Sequence, residues 1–199
     1  TVPKMYAIHK PQHSLTGQMY LVNAYRNDPL EVPPEFSRLR FWRHTSISSS
    51  LRKNKGHHMK RTRKEIYRTS AGILGYEWDV QVPDEYSPPG LVAFTRTKVD
   101  ITKQLMQAYG AAYKGSGSIR HAVTLYRQQK SGAMVFSTGT CQWSWALAPL
   151  HDYNWNLGYV PLDWNLQQAT VNILADMGVQ PLSPWSYSKS NVTIAKPTV

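Results

Sequence analysis

Glu77 and Asp79 stand two apart in Leu74-Gly75-Tyr76-Glu77-Trp78-Asp79-Val80, a run rich in strand-forming residues that Pro83 closes. On a strand that spacing puts both carboxylates on one face. Together with His151 and Asp152 they could hold a hard or borderline metal, or divide acid and base work between them. The alternative is structural: one of them ends a strand or pairs with an arginine such as Arg40 or Arg43. Cys141, the single cysteine, excludes an internal disulfide and a cysteine-based zinc cluster. As a nucleophile it would need His121 or His151 within hydrogen-bond reach. Its place after the apolar run Ala133 to Phe136 favours a small apolar residue at the end of a buried strand. Trp143 and Trp145, also two apart, could stack on a ligand or an interface, or fill the core.

A second constellation is electrostatic. The chain of 199 residues carries a net charge of +11, and eight of its cations fall between Arg52 and Arg68 against Glu65 alone. These are Arg52, Lys53, Lys55, Lys60, Arg61, Arg63, Lys64 and Arg68. The segment holds too few apolar residues to bury a face, so it reads as an exposed loop or arm. Such a cluster attracts phosphate backbones, and with no groove-reading motif RNA is the polyanion it suits best, through phosphates rather than bases. A solvated loop, or docking on an acidic surface, is the plainer reading. His57-His58, inside this run, fits a solvated or phosphate-facing loop better than a metal site.

The elements that must position these groups follow from periodicity. An apolar run entered through Gly17 and ending at Asn23 predicts a strand, and Pro34 opens a turn or two that send Phe36, Leu39 and Phe41 or Trp42 inward. Further strands are expected over Ile73 to Val80, Leu91 to Thr95, Ala122 to Arg127 and Ala133 to Phe136, the last two as a hairpin turning near Lys130-Ser131-Gly132. Asp100 caps a predicted helix from Ile101 to about Tyr109, and Tyr113 to Ser118 reads as a Gly/Ser loop. The clearest helix puts Leu166, Ala169, Thr170, Ile173, Leu174 and Met177 on one face, with Asp163 before it and Gly178 past its end. Residues 1–14 read as an extended arm and 183–199 as a tail without regular structure. This order implies an α/β or α+β sheet with few covering helices, one face of it covered from outside the chain. No apolar run approaches the roughly 18 residues that span a bilayer. The lone cysteine and the basic insert favour an intracellular or organellar address over secretion.

Several stretches in order resemble the C-terminal domain of the large subunit of N,N-dimethylformamidase and its bacterial relatives. They are Leu15 to Asn23, Arg40-Phe41-Trp42-Arg43, Leu74 to Asp79, His121 to Arg127, Gly132 to Trp145, His151-Asp152, and Gln167 to Pro181. The resemblance spans residues 15–182, with 52–68 as a basic insert. It implies an α/β fold similar to class I glutamine amidotransferases, of which this chain would hold the C-terminal portion: a partial sheet with flanking helices, plus the two arms. If a metal carboxylate of the family is kept, the resemblance implies Glu77 as the matching one; the enzyme reading would then carry a metal, iron or zinc, with His151 and Asp152 as further ligands. The basic run departs from the neutral connection of relatives, and the family's iron-site tyrosines would lie upstream of the matching portion. Together these features predict a non-catalytic structural subunit of a multiprotein assembly that binds RNA through 52–68, an organellar ribonucleoprotein being the kind of assembly it would suit. The alternative is a metal-dependent, amidohydrolase-like enzyme subunit with other protein subunits as partners.

Overall fold

The computed structural model describes residues 10–24, 26–49, 65–75, 77–107, 112–151 and 159–179. It is a mixed α/β structure with several antiparallel sheets and few helices. In chain order the elements are α1 (His13–Thr16), β1 (Met19–Asn23), β2 (Glu31–Val32), a 3-10 turn (Arg40–Trp42), α2 (Ser46–Ser49), β3 (Tyr67–Arg68) and β4 (Glu77–Val80). They continue with β5 (Val92–Ala93), β6 (Thr97–Gln107), β7 (Ala112–His121), β8 (Thr124–Arg127), β9 (Met134–Ser137), a second 3-10 turn (Cys141–Ala146) and α3 (Trp164–Asp176).

The main sheet runs β4-β1-β6-β7, a smaller one β5-β8-β9, and β2 pairs with β3. The main sheet curls until its edges meet, since the Gln81 N–H just past β4 donates to the Arg120 carbonyl on β7 at 3.2 Å. A curled sheet encloses a core without needing many helices, which is why so few elements suffice here.

Three sequence expectations fail in instructive ways. The helix expected over 101–109 is strand instead, with β6 extending from Thr97 to Gln107. Thr97, Val99 and Ile101 point inward and Lys98, Asp100 and Thr102 outward. That two-residue alternation, over β-branched residues that fit a pleated surface, overrides the three- and four-residue spacing of Ile101, Leu105 and Met106. The Gly/Ser loop expected at Tyr113 to Ser118 lies within the partner strand β7. Gly117 admits a neighbour: a Cβ there would stand 2.7 Å from Leu105 Cδ2, so the bare backbone lets Leu105 reach the core. Finally, α1 begins at His13, inside the stretch read as an extended arm, and His13 itself is buried. Residues 1–9 and 180–199, including the tail, lie outside the described residues.

The hairpin β8-β9 and helix α3 form where their sequence signals place them. Gly132 takes the left-handed conformation (φ 73°) at the hairpin turn, bonded through its N–H to the Gln128 carbonyl at 2.8 Å. The Asp163 side chain accepts from the N–H groups of Asn165 and Leu166, satisfying two of the first-turn donors of α3. Leu166, Ala169 and Ile173 are buried as the spacing requires, but Leu174 is 41% exposed. Asn172 and Gln168 take the inward position instead. Asn172 donates to the carbonyls of Phe41 (2.8 Å) and Arg43 (2.7 Å) and accepts from Gln168 Nε2 at 2.9 Å. Arg43 in turn donates to Asp176 at 2.9 Å and to the Asn172 carbonyl, and Arg40 reaches Asp176 at 3.0 Å. This clamp holds Arg40-Phe41-Trp42-Arg43 against α3. It packs Phe41 on Phe94 (centroids 4.3 Å) and seats Trp42 with its Nε1–H on the Phe94 carbonyl.

Candidate carboxylate site on the main sheet

β4 has two unlike faces. Trp78 and Val80 are buried, while Glu77 and Asp79 lie on the other side, half-buried, as the alternation of a strand demands. Antiparallel pairing with β1 sets Asp79 opposite Tyr20 and Glu77 opposite Asn23, and Trp78 opposite Val22 on the core side. A bulge at Leu21 makes this possible. Without the extra residue, the side chains of β1 beyond Tyr20 would swap faces and Asn23 would point into the core. One face of two neighbouring strands thus presents two carboxylates, a phenol and an amide.

The groups behind that face are firmly placed. The Asp79 N–H donates to the Gly139 carbonyl at 2.7 Å, and Trp78 bridges to Thr140. Trp78 meets His121 edge to face at 5.7 Å, and His121 Nε2 donates to the Thr138 carbonyl at 3.1 Å. Burial drives the His121 pKa down to about 4, although carbonyls of Thr138 and Gly139 favour its protonated form. His121 is therefore a neutral structural ring at pH 7, and its closed surroundings put it out of play as a base for Cys141. Burial also pushes the Asp79 carboxyl up from the ordinary aspartate range, because no hydrogen bond or ion pair among the described residues offsets the lost hydration. The arginines Arg40 and Arg43 are taken by Asp176 rather than by Glu77 or Asp79.

The other expected site residues are distributed elsewhere. His151 is sandwiched between Trp145 (4.6 Å, 7°) and Tyr159 (5.1 Å, 19°), and its Nε2 donates to the Val160 carbonyl at 3.1 Å. Asp152 lies outside the described residues. Among the described residues no three His, Cys, Asp or Glu side chains gather around a common point. Trp143 is buried with its Nε1–H on Thr170 Oγ1 at 3.1 Å, and Trp145 is buried as well. Cys141 is exposed at the first position of the second 3-10 turn, not at the end of a buried strand. Gly139 (φ 66°) and Thr140 still bond β4, and the 3-10 turn that begins at Cys141 leaves the cysteine exposed. Of the basic run, Arg52 to Lys64 and His57-His58 lie outside the described residues. Arg68 ends β3 and donates to Glu31 at 2.7 Å. Sequence reading passed over Tyr20 and Asn23. Their only signal was the pairing of the strand Met19–Asn23 with β4, and the bulge that sets their face has no marker in the sequence.

An antiparallel sheet carrying an oxygen-rich face is the class of protein these observations define. The model of the family N,N-dimethylformamidase beta subunit-like, C-terminal, matches residues 3–156, and the chain belongs to that family. The matched region holds β1 to β9 with Glu77 and Asp79, while α3 follows it. No curated protein matches the chain, and no solved structure matches it. Family membership corrects the expectation of a structural, RNA-binding ribonucleoprotein part: it points to a subunit related to an amide-hydrolysing enzyme, and no finding supports an RNA partner. Among the described residues no helix is long and apolar enough to cross a membrane.

Proposed function

We propose that the chain is a dimethylformamidase-related enzyme subunit, a part of a larger amide-hydrolysing assembly, with the carboxylate face of β1 and β4 at or beside its reaction centre. The family match carries this reading. It is supported by the pairing of Glu77 and Asp79 with Tyr20 and Asn23 on one half-buried face. The family's kinship with class I glutamine amidotransferases remains part of this proposal, as does the division of the chain into a domain over 15–182 with flanking arms.

Two carboxylates, a phenol and an amide are the oxygen donors that a hard or borderline cation such as iron takes, so the face fits a metal in part. Glu77 would be its ligand, and the remaining ligands would come from another segment or subunit, Asp152 being the candidate on this chain, since His151 is held between Trp145 and Tyr159 with its Nε2–H on the Val160 carbonyl. Such a metal, when bound, polarises the amide carbonyl and makes water a better nucleophile. The chain's own groups would do the rest. Asp79 would accept a proton from attacking water and return it to the departing amine, as water adds to the carbonyl carbon and the C–N bond breaks. Tyr20 and Asn23 flank the two carboxylates and would orient the substrate oxygen.

The test is hydrolysis of N,N-dimethylformamide by the chain purified with its co-purifying partners. The reading predicts release of dimethylamine that Asp79→Asn lowers by about two orders of magnitude, the usual worth of a general base. Full activity in the variant, or none in the intact assembly, would contradict it.

A further inference from the structure

Just past β4 the chain from Gln81 to Leu91 borders a hollow of about 510 Å³. Gln81, Pro83, Asp84, Pro88, Gly90 and Leu91 line it. The loop is internally braced: Asp84 Oδ1 accepts from the Tyr86 N–H at 2.9 Å, and Ser87 Oγ donates to the Val82 carbonyl at 2.9 Å. Gly90 adopts φ 76°, and a Cβ there would meet no atom within 4 Å.

Asp84 differs from the other paired carboxylates. Asp28, Glu31, Glu35 and Asp176 each pair with an arginine, whereas the partner of Asp84 is the imidazole of His13 at 2.8 and 3.0 Å. His13 is 1% exposed, and its Nδ1 has no hydrogen-bond partner. His13 Nε2 bonds both carboxylate oxygens of Asp84, and about a third of the Asp84 side chain (35%) is exposed. Glu85 beside it is exposed, and Tyr86, 41% exposed, stands edge-on to His13 at 6.2 Å. In a chain of net charge +11, Asp84 and Glu85 form an acidic corner beside the apolar surfaces of Pro83, Pro88 and Leu91, with Tyr86 next in the chain.

We infer that this hollow binds a small organic ammonium ion. Asp84 supplies the opposite charge, buttressed from behind by His13. Pro83, Pro88 and Leu91 receive the alkyl groups, and Tyr86 offers a ring face to the cation. A strongly hydrated inorganic ion gains little from such walls, whereas an alkylammonium, poorly hydrated and partly apolar, matches both features. The inference does not depend on the catalytic reading.

The experiment is titration of the full-length, 15N-labelled chain with tetramethylammonium chloride, with sodium chloride at matched ionic strength as control. Saturable shifts confined to amides of residues 81–91 are expected. Asp84→Asn should weaken binding at least about tenfold, in keeping with loss of a charge pair worth more than about 1.4 kcal/mol. Tyr86→Leu should weaken it by about threefold. The amide oxygen introduced by Asp84→Asn can still accept from His13, and unchanged shifts elsewhere in each variant verify the fold. Absence of saturation, an equal response to sodium, or full binding by Asp84→Asn overturns the inference. Tighter binding of Nα-acetyl-lysine methylamide than of tetramethylammonium overturns the small-ion assignment in favour of a partner protein's lysine.

Discussion

The clamp on α3 and the carboxylate face of β4 treat charge in opposite ways. In the clamp, Arg40, Arg43, Asp176, Asn172 and Gln168 bond one another and the backbone of Phe41 and Arg43. On the β4 face, Asp79 is half-buried with its carboxylate bonded to none of the described residues, and burial raises its pKa. Groups that bond one another in this way hold the fold together and leave little for a ligand. A carboxylate kept out of water with its bonding incomplete costs stability, and functional sites are where such costs concentrate. The difference separates a structural charge cluster from a chemical one inside a single small molecule.

That contrast can be broken at its base. Trp78 separates Glu77 from Asp79 and fills the core beneath both, so Trp78→Ala should lower stability by about 3–5 kcal/mol, read as a fall in the urea midpoint. The same replacement should loosen both carboxylates and His121.

The acid behaviour of the core beneath the face comes next in size. His121 is fully buried with a pKa of about 4, below the roughly 6.5 of an unfolded histidine, so between these values the unfolded chain binds the extra proton. Stability from this group is complete above about pH 6.5 and declines as pH falls toward 4, by about 3 kcal/mol in all. Urea unfolding from about pH 7.5 to 4 should show that slope, and His121→Gln should flatten it.

In the clamp, Asn172→Ala removes three hydrogen bonds and strands two buried carbonyls, for an expected loss of about 2–3 kcal/mol. Thermal unfolding that leaves the variant as stable as the parent would mean the clamp is not structural. On the other side of the comparison the sign reverses. Because burial disfavours the charged form of Asp79, its contribution is most favourable at low pH and is lost as pH rises through its elevated pKa. Asp79→Asn should therefore raise the melting temperature slightly at pH 7, by an amount within the usual range of about 1 kcal/mol for a partly exposed position, while amide hydrolysis falls. A destabilised variant would place Asp79 with the clamp instead.

How much of this was legible beforehand depended on whether the signal was local. Asp163, Gly178 and Gly132 act on residues beside them in the chain, and α3 and the β8-β9 turn form where those residues predict. Glu77 and Asp79 share a face because a strand alternates, which is also a local fact. The helix expected over 101–109 failed because β6 is decided by its pairing with β7, an interaction no short window contains. Tyr20 and Asn23 were invisible for the same reason, since the Leu21 bulge and the β1-β4 register set their direction. Leu174 was expected inside by spacing, yet the buried position went to Asn172, whose amide meets carbonyls more than a hundred residues away in sequence. The His13–Asp84 pair, 71 residues apart, had no sequence signature at all.

The proposal that the reaction centre lies on the carboxylate face rests most heavily on Glu77. Metal analysis of the assembly purified through this chain, compared with the same assembly carrying Glu77→Gln, tests it directly. Stoichiometric iron or zinc in the parent, lost in the variant with the fold intact, is the predicted result. A variant that keeps both its metal and its amide hydrolysis would contradict the placement of the reaction centre on this face.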